Sequence, residues 1–371
     1  MSLIYVIFLV GLAFFLERLS SRKPFDRLHH DVLLSRNVLE CGEPFELTTV
    51  ITNGKPRPVL FLHLEENVPD GLVLLDQDSP EKRIVLDAHN QKKASLQQTL
   101  YLMPRQKVTR TVRCSLPDRG RYVMHDGKME VGDLLGFEAN TMQLAYFREM
   151  VVLPKKVECP AIEAAFGNYL GDITVRRFIL TDPILTAGFR EYTGREPMRD
   201  ISWPISVRQN KLMVKQYDYT SELTASVLLN IANGTNEQKE FGYSYARCAC
   251  EFLERKRVSY SFLTNAYVTS STGRWSFMGE GLGDSHLSAI LEGLGRGSYE
   301  SVGGLKKLLN SLTRQTDRSK AFILVTVPLS EEDHRLLRMF ENRTGISFFI
   351  ISTDTNANET DTSAQSGKEA V

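Results

Sequence analysis

The sequence has no surplus of charge of either sign: 45 Lys and Arg stand against 45 Asp and Glu. That balance argues against a dedicated nucleic-acid binder, which carries a basic excess, and against an acidic unstructured chain. Cysteine is sparse as well. Five cysteines, at 41, 114, 159, 248 and 250, are an odd and scattered set that builds no disulfide framework. Catalytic signatures are missing: there is no G-x-S-x-G, no H-E-x-x-H and no Cys/His pairing that suggests a hydrolase. Gly279-Glu-Gly-Leu-Gly-Asp284 is glycine-rich, but it lacks the Walker lysine and follows a loop, so it reads as a flexible segment rather than a phosphate cradle. Cys248 and Cys250, two apart on a helix, point about 200° from one another and form neither a redox pair nor a clip. His29-His30 and His125 have no spaced partner, so they read as structural rather than as metal ligands.

What is present begins with an apolar run. Residues 1–16 carry no charge before Glu17, and as a helix they span roughly 24 Å, a little short of a hydrocarbon core of about 30 Å. Snorkelling of Arg18 and local bilayer thinning close such a gap. No positive segment precedes the run and no small-x-small cleavage site follows it, the usual marks of a cleaved signal peptide. Arg18, Arg22, Lys23 and Arg27 follow instead. The positive-inside rule then puts the N-terminus outside and the rest of the chain in the cytoplasm, a reducing side that suits unpaired thiols. The reading is an uncleaved membrane anchor over residues 1–17; a buried helix of the soluble part is the alternative. No second apolar run of spanning length appears.

A length of 371 residues predicts two folded domains. Residues 28–150 show short alternating runs broken by turn residues. Phe45–Thr52 is followed by Asn53-Gly54, a strong turn signal, and Val59–Glu65 reads as the next strand. Further strands are expected at Leu72–Leu75, Arg83–Leu86, Ser95–Leu102, Val108–Ser115 and Arg121–Glu130. About seven strands at this spacing predict an antiparallel, immunoglobulin-like β-sandwich.

Residues 223–351 switch to strands alternating with helices. Strands are expected at Leu223–Ile231, Val258–Leu263, Ala321–Val327 and Ile346–Ile351. Helices are expected at Lys239–Lys256, Asp284–Leu294 (Asp284 or Ser285 as N-cap), Val302–Thr313 and Glu331–Asn342. A Gly- and Ser-rich loop fills Asn265–Gly283. Apolar strands alternating with helices predict a doubly wound α/β domain with a mostly parallel sheet. Residues 352–371 are rich in Thr, Asn, Ser and Ala without aromatics, a disordered tail by composition.

Between the domains, in the connecting segment 151–222, lies Gly188–Lys215. It holds six Lys/Arg (190, 195, 199, 208, 211, 215), three acids (191, 196, 200) and Trp203, one of two tryptophans. This stretch resembles the signature of the "domain of unknown function fifty-eight" family, roughly R-x-Y-x-x-G-D-x-x-R-x-I-D-W-x-x-x-A-R-x-x-x-L-x-V. Arg190, Tyr192, Arg199, Ile201, Trp203, Arg208, Leu212 and Val214 fall on it in register, and Glu196 keeps the first acid. Arg195 stands at the family's glycine, Ser202 at its second acid and Val207 at its alanine. Gly42-Glu-Pro-Phe-Glu-Leu, Arg119-Gly-Arg-Tyr122 and Gly132-Asp-Leu-Leu-Gly-Phe137 resemble elements of the family's N-terminal β domain. The resemblance implies a membrane-anchored protein whose C-terminal domain is similar to a von Willebrand factor A domain. It also implies work beside a MoxR-type AAA+ ATPase in the assembly or maturation of other proteins, with no established catalytic activity.

A von Willebrand factor A domain can hold Mg²⁺ through D-x-S-x-S after its first strand, a Thr from one loop and an Asp after a later strand, an oxygen set suited to hard cations. Here those positions are Asn230, Ala232 and Gly234, and the later strand offers Thr326 with no acid before Ser330. The expectation is a degenerate corner without metal or cofactor. For Arg190, Tyr192, Glu196, Arg199, Trp203 and Arg208 two readings stay open. One is a structural clasp, with guanidinium groups paired to Glu191, Glu196 or Asp200 and stacked on Trp203 or Tyr192. The other is a docking surface for an acidic partner or a phosphate.

Three functions therefore compete on the sequence. The first is a non-enzymatic, single-pass membrane protein with cytoplasmic domains, acting through protein interactions. The second is an extracytoplasmic adhesion or ligand-binding module. The third is an enzyme using the loops at the C-terminal ends of the strands.

Overall fold

The computed structural model describes residues 24–76, 81–86, 92–132, 139–179, 186–194, 196–217, 224–270, 273–274, 276–312 and 320–353. The expected anchor at 1–17 and nearly all of the expected tail lie outside these residues. Among the described residues no helix is long and apolar enough to cross a membrane. The chain divides into two compact units, Met1–Lys155 and Lys156–Val371.

Among the described residues the first unit is a β-sandwich of ten strands: β1 Leu28–Leu34, β2 Val38–Leu39, β3 Pro44–Asn53, β4 Val59–Val68, β5 Val73–Leu74, β6 Glu81–Leu86, β7 Lys92–Leu102, β8 Lys107–Ser115, β9 Gly120–Gly132 and β10 Ala139–Val152. One sheet runs β1-β3-β8-β5 and the other β2-β10-β9-β4-β7-β6. Pairings are antiparallel except that of the short β2, which runs parallel to β10. The alternation read from the sequence is the alternation of burial: Phe45, Leu47, Thr49, Ile51 and Asn53 of β3 point inward while their neighbours face outward. Two apolar clusters fill the space between the sheets, one around Val32, Leu47, Val68 and Leu96, the other around Leu28, Ile51, Leu64 and Met129.

Two long strands escape the sequence pattern. β1 carries polar His30 on its inward face, between Leu28 and Val32, so its alternation is hidden. β10 has an irregular register between Leu144 and Phe147, which breaks the period-two pattern midway.

The second unit centres on a five-stranded sheet. It begins with helix α1 (Pro160–Ile179), then a two-stranded ribbon of β11 (Thr186–Glu191) and β12 (Met213–Tyr217) that encloses a 3-10 turn at Met198–Asp200 and helix α2 (Trp203–Gln209). There follow β13 Thr224–Asn230, α3 Asn236–Arg255, β14 Ser259–Thr264, β15 Ala266–Ser270, β16 Gly273–Arg274, β17 Phe277–Gly281, α4 Asp284–Gly295, β18 Gly297–Ser301, α5 Leu305–Leu312, β19 Ala321–Thr326, α6 Glu331–Thr344 and β20 Phe348–Ser352. The sheet order is β17-β14-β13-β19-β20, parallel throughout except for the antiparallel edge strand β17.

The central strands β13 and β19 are buried along their length, which is why they read as unbroken apolar runs. On one face Leu305, Leu308, Leu309 and Leu312 of α5 and Leu337 and Phe340 of α6 pack on Leu228, Phe322 and Leu324. Elsewhere in the unit Phe166 of α1 stacks against Phe252 of α3 and Phe349 of β20, with ring centroids 5.0 and 5.5 Å apart. Local signals set the helix ends. Thr235 with Gln238 and Ser330 with Asp333 close capping boxes on α3 and α6, and Gly345 ends α6 at φ 73°, in the left-handed region.

The stretch expected as a loop between Asn265 and Gly283 instead holds β15, β16 and β17. Its strands are short, and β17 lies at the sheet edge with a mostly exposed face, so no buried alternation marks it in the sequence. The cap of α4 is Gly283, one residue earlier than expected.

Candidate functional site

Open α/β sheets bind ligands where neighbouring strands leave for opposite sides, outside their carboxyl ends. Here that place lies between β13 and β19, whose last residues, Asn230 and Thr326, are register partners. The degenerate positions named from the sequence converge on it. Asn230 is 2% exposed and Thr326 is fully buried.

Their polar atoms are already committed to one another. Asn230 Nδ2 donates to Thr326 Oγ1 at 2.9 Å, and the Thr326 hydroxyl donates to the Val327 carbonyl at 2.8 Å. Asn230 Oδ1 accepts from Asn265 Nδ2 at 2.7 Å and from the Ala232 amide at 3.2 Å. Asn265 Oδ1 in turn accepts from the Ile231 amide at 3.0 Å, and its Nδ2 also donates to the Gly303 carbonyl at 3.1 Å. Thr264 Oγ1 donates to the Leu229 carbonyl and accepts from the Ala266 amide.

The result is a buried network of neutral amides and hydroxyls that ties the ends of β13, β14 and β19 together. It contains no carboxylate to balance a divalent ion, and its donors and acceptors satisfy one another. Gly234, the third degenerate position, packs so close to Val327 that a Cβ there would stand 2.6 Å from Val327 Cγ1. A serine side chain there would force Val327 to shift. Among the described residues no cluster of three or more His, Cys, Asp or Glu is placed to hold a metal. Thr264 and Asn265 are members that the sequence pattern did not reveal; they close β14 and open a segment that lacks a strand pattern.

The Arg/Trp segment forms the ribbon. Arg190 on β11 pairs with Glu196 across the turn at 2.6 Å, and the same carboxylate accepts from the Thr193 hydroxyl at 2.7 Å and the Thr193 amide at 3.1 Å. The Thr193 hydroxyl, with help from the Arg190 guanidinium, holds the Glu196 carboxyl down at about 2. Tyr192 donates its amide to the Leu212 carbonyl, and Lys211 reaches Glu191 at 3.2 Å. Ser202 is buried, and its amide donates to the Met213 carbonyl. Ser206 bridges the helix to β12, donating to the Ser202 carbonyl and accepting from the Met213 amide, both at 2.8 Å.

The rest of the segment faces outward. Arg199 meets Asp200 only at 3.9 Å with its side chain 85% exposed, and Arg208 is exposed. Met198, Trp203 and Val207 are 69, 56 and 80% exposed. Trp203 and Val207 lie one turn apart on α2, so they share a face. Among the described residues no guanidinium stacks on Trp203. Arg190 and Glu196 thus act within the fold, whereas Arg199, Trp203 and Arg208 present themselves to solvent.

No family model matches the chain, and no curated protein matches it. Among solved structures it is similar to a cohesin module of a family 33 glycoside hydrolase from Clostridium perfringens, with 15% identity over 34% of this chain and 96% of that one, at a TM-score of 0.23. It is also similar to a non-cellulosomal cohesin from Archaeoglobus fulgidus, with 15% identity, 33% and 91% coverage and a TM-score of 0.22. A third likeness is to the sporulation control protein Spo0M of Bacillus subtilis, at 10% identity over 45% and 58% of the two chains, with a TM-score of 0.20. Likenesses at these scores carry no functional argument.

Proposed function

We propose that this protein is a non-enzymatic, membrane-anchored interaction protein with cytoplasmic domains, acting with a MoxR-type AAA+ ATPase in the assembly or maturation of other proteins. In this reading the second unit is a von Willebrand factor A-like domain that has lost its cation chemistry. The open parallel sheet with helices around it supports that, as does the position of Asn230, Ala232, Gly234 and Thr326 at the ends of adjacent central strands.

One observation carries the proposal. The corner where an open sheet places its ligand is closed by a neutral network, while Met198, Trp203 and Val207 remain exposed beside Arg199 and Arg208. Exposed aromatic and arginine side chains are the residue types that dominate protein interfaces. Trp203 is the expected anchor of the contact.

The test is co-purification of the full chain, extracted from membranes, with a MoxR-type ATPase. The wild-type chain is expected to retain the ATPase, and Trp203→Ala and Val207→Asp to lose it. An ATPase that never co-purifies, or that both variants retain equally, defeats the reading. Compartment is checked by protease protection and by alkylating Cys41 in intact cells: labelling by a membrane-impermeant reagent puts the soluble part outside. Cys41 suits this better than Cys159, which is buried and whose thiol is pushed up by burial.

A further inference from the structure

Three segments meet at one end of the sandwich: the start of the described chain, Pro24–Leu28; the β3–β4 connection with the first turn of β4, Asn53–Phe61; and the β7–β8 connection, Tyr101–Lys107. The contacts that join them are direct. Gly54 donates its amide to the Arg27 carbonyl at 2.8 Å, Lys55 Nζ donates to the Pro24 carbonyl, and the Arg105 amide donates to the Lys55 carbonyl at 3.1 Å. Buried Asn53 pins the arrangement, donating Nδ2 to the carbonyls of Arg57 and Met103 at 2.9 and 3.0 Å.

This end presents large apolar side chains to solvent. Leu60, Phe61, Tyr101 and Met103 are 48, 42, 64 and 54% exposed. Phe61 stands on the outer face over Gly132, where a Cβ would come within 2.9 Å of the ring, so the missing side chain makes room for it. The same three segments carry Arg27, Arg57, Arg105 and Lys107, all exposed, with Asp26 as their one acid. The chain as a whole is neutral, so the local excess is a feature of this end.

We infer that this end of the sandwich is a membrane-docking surface that rests on the headgroup region of an anionic bilayer. The inference rests on the membrane-anchor reading of residues 1–17 and goes beyond it by naming a second contact with lipid. Seven residues, 17–23, separate the apolar run from Pro24, and fully extended they reach roughly 23–25 Å. The sandwich end that bears Pro24 is therefore held near the bilayer surface. Tyrosine favours that interface, phenylalanine and leucine side chains insert into the headgroup boundary, and Lys and Arg are drawn to anionic lipid there. Exposed apolar groups and cations on three joined segments fit such a surface better than they fit water.

The experiment uses the full chain reconstituted in vesicles of phosphatidylcholine, with or without phosphatidylglycerol, whose acyl chains are brominated close to the headgroups. Phe61→Trp places an indole on the patch, and the unsubstituted chain supplies the background from its own tryptophans. Vesicle flotation shows whether the chain is anchored. The expected result is flotation, a blue shift of the added emission and its quenching by bromine, strongest with phosphatidylglycerol. Most of the quenching should be lost when Arg57 and Arg105 are both changed to Glu. Tyr101→Trp repeats the measurement at a more exposed position if Phe61→Trp fails to fold. A chain that floats with unquenched, iodide-accessible indoles at both positions overturns the docking surface alone. A chain that does not float overturns the anchor and, with it, this surface.

Discussion

His30 Nε2 lies 2.8 Å from Glu66 Oε1, with both side chains almost wholly buried between the sheets of the sandwich. Thr49 Oγ1 donates to the same carboxylate at 2.9 and 3.1 Å, and the Tyr146 ring packs on His30 at 5.6 Å. His30, Thr49 and Glu66 each sit between two inward apolar residues of their strands: Leu28 and Val32, Leu47 and Ile51, Leu64 and Val68. The two apolar clusters of the sandwich lie on either side of this polar layer. Its members satisfy one another, and a buried carboxylate that loses its partners is strongly destabilising.

Glu66→Ala leaves the His30 and Thr49 side chains without their shared partner and is expected to cost the sandwich at least about 1–3 kcal/mol. Changing His30 and Glu66 together to leucine should recover most of that loss. Neither tryptophan lies in residues 28–152, so the measurement is urea unfolding followed by circular dichroism or hydrogen exchange of the sandwich strands. A Glu66→Ala loss below about 1 kcal/mol contradicts a structural role for the layer.

The strand-end network predicts a different pattern. Asn230→Ala leaves Asn265, Thr326 and the Ala232 amide short of a partner and should cost about 1–3 kcal/mol. Gly234→Ser meets Val327 and should destabilise by a similar amount, about 1–3 kcal/mol for overpacking. Introducing Asp, Ser and Ser at 230, 232 and 234 therefore gives a less stable chain rather than a cation site, which isothermal titration with Mg²⁺ checks. Tight Mg²⁺ binding by such a chain would refute the account of the corner.

Glu196 sets a pH dependence whose sign follows from its lowered pKa. The folded carboxyl titrates at about 2, below the ordinary value. Its stabilising contribution is complete above the unfolded value of about 4.3 and is lost as pH falls toward the folded one. Glu196→Gln should flatten the stability change of the ribbon between about pH 5 and pH 2, read by hydrogen exchange of the Thr193 amide. An unchanged profile would mean that the Arg190 and Thr193 contacts do not hold the carboxylate in solution.

Thiol reactivity gives a further check on packing. Burial pushes the Cys114 and Cys248 thiols up to about 12 and raises Cys159 and Cys250 as well. At neutral pH these four should resist iodoacetamide in the folded chain, with Cys41 alkylated first; mass spectrometry of the digested protein reads the order. Rapid labelling of Cys250 would show that α3 is not packed as described.

Much of the architecture was legible because burial has a period. The central strands β13 and β19 are covered on both faces and read as apolar runs, and β3 and β4 alternate because one face is buried. Strands were lost where that logic failed: β1 behind His30, β10 behind its irregular register, and β15–β17 in a segment of short and edge strands. The candidate site was legible in part. That Asn230, Ala232 and Gly234 carry no acid is a matter of residue identity, whereas the partnership of Asn230 with Asn265 and Thr326 joins positions 35 and 96 residues apart.

By itself the sequence determined the neutral balance of charge, the change from alternating strands to strand-helix repeats, and the absence of acids from the strand-end corner. Each follows from composition or from neighbours along the chain. Only the tertiary structure decided that Arg190 and Glu196 bind one another while Trp203 and Val207 face solvent, and that cations and apolar groups from three separate segments meet beside Pro24. Such groupings depend on which distant strands pair and in what register, and a one-residue change of register turns every side chain of a strand to the opposite face.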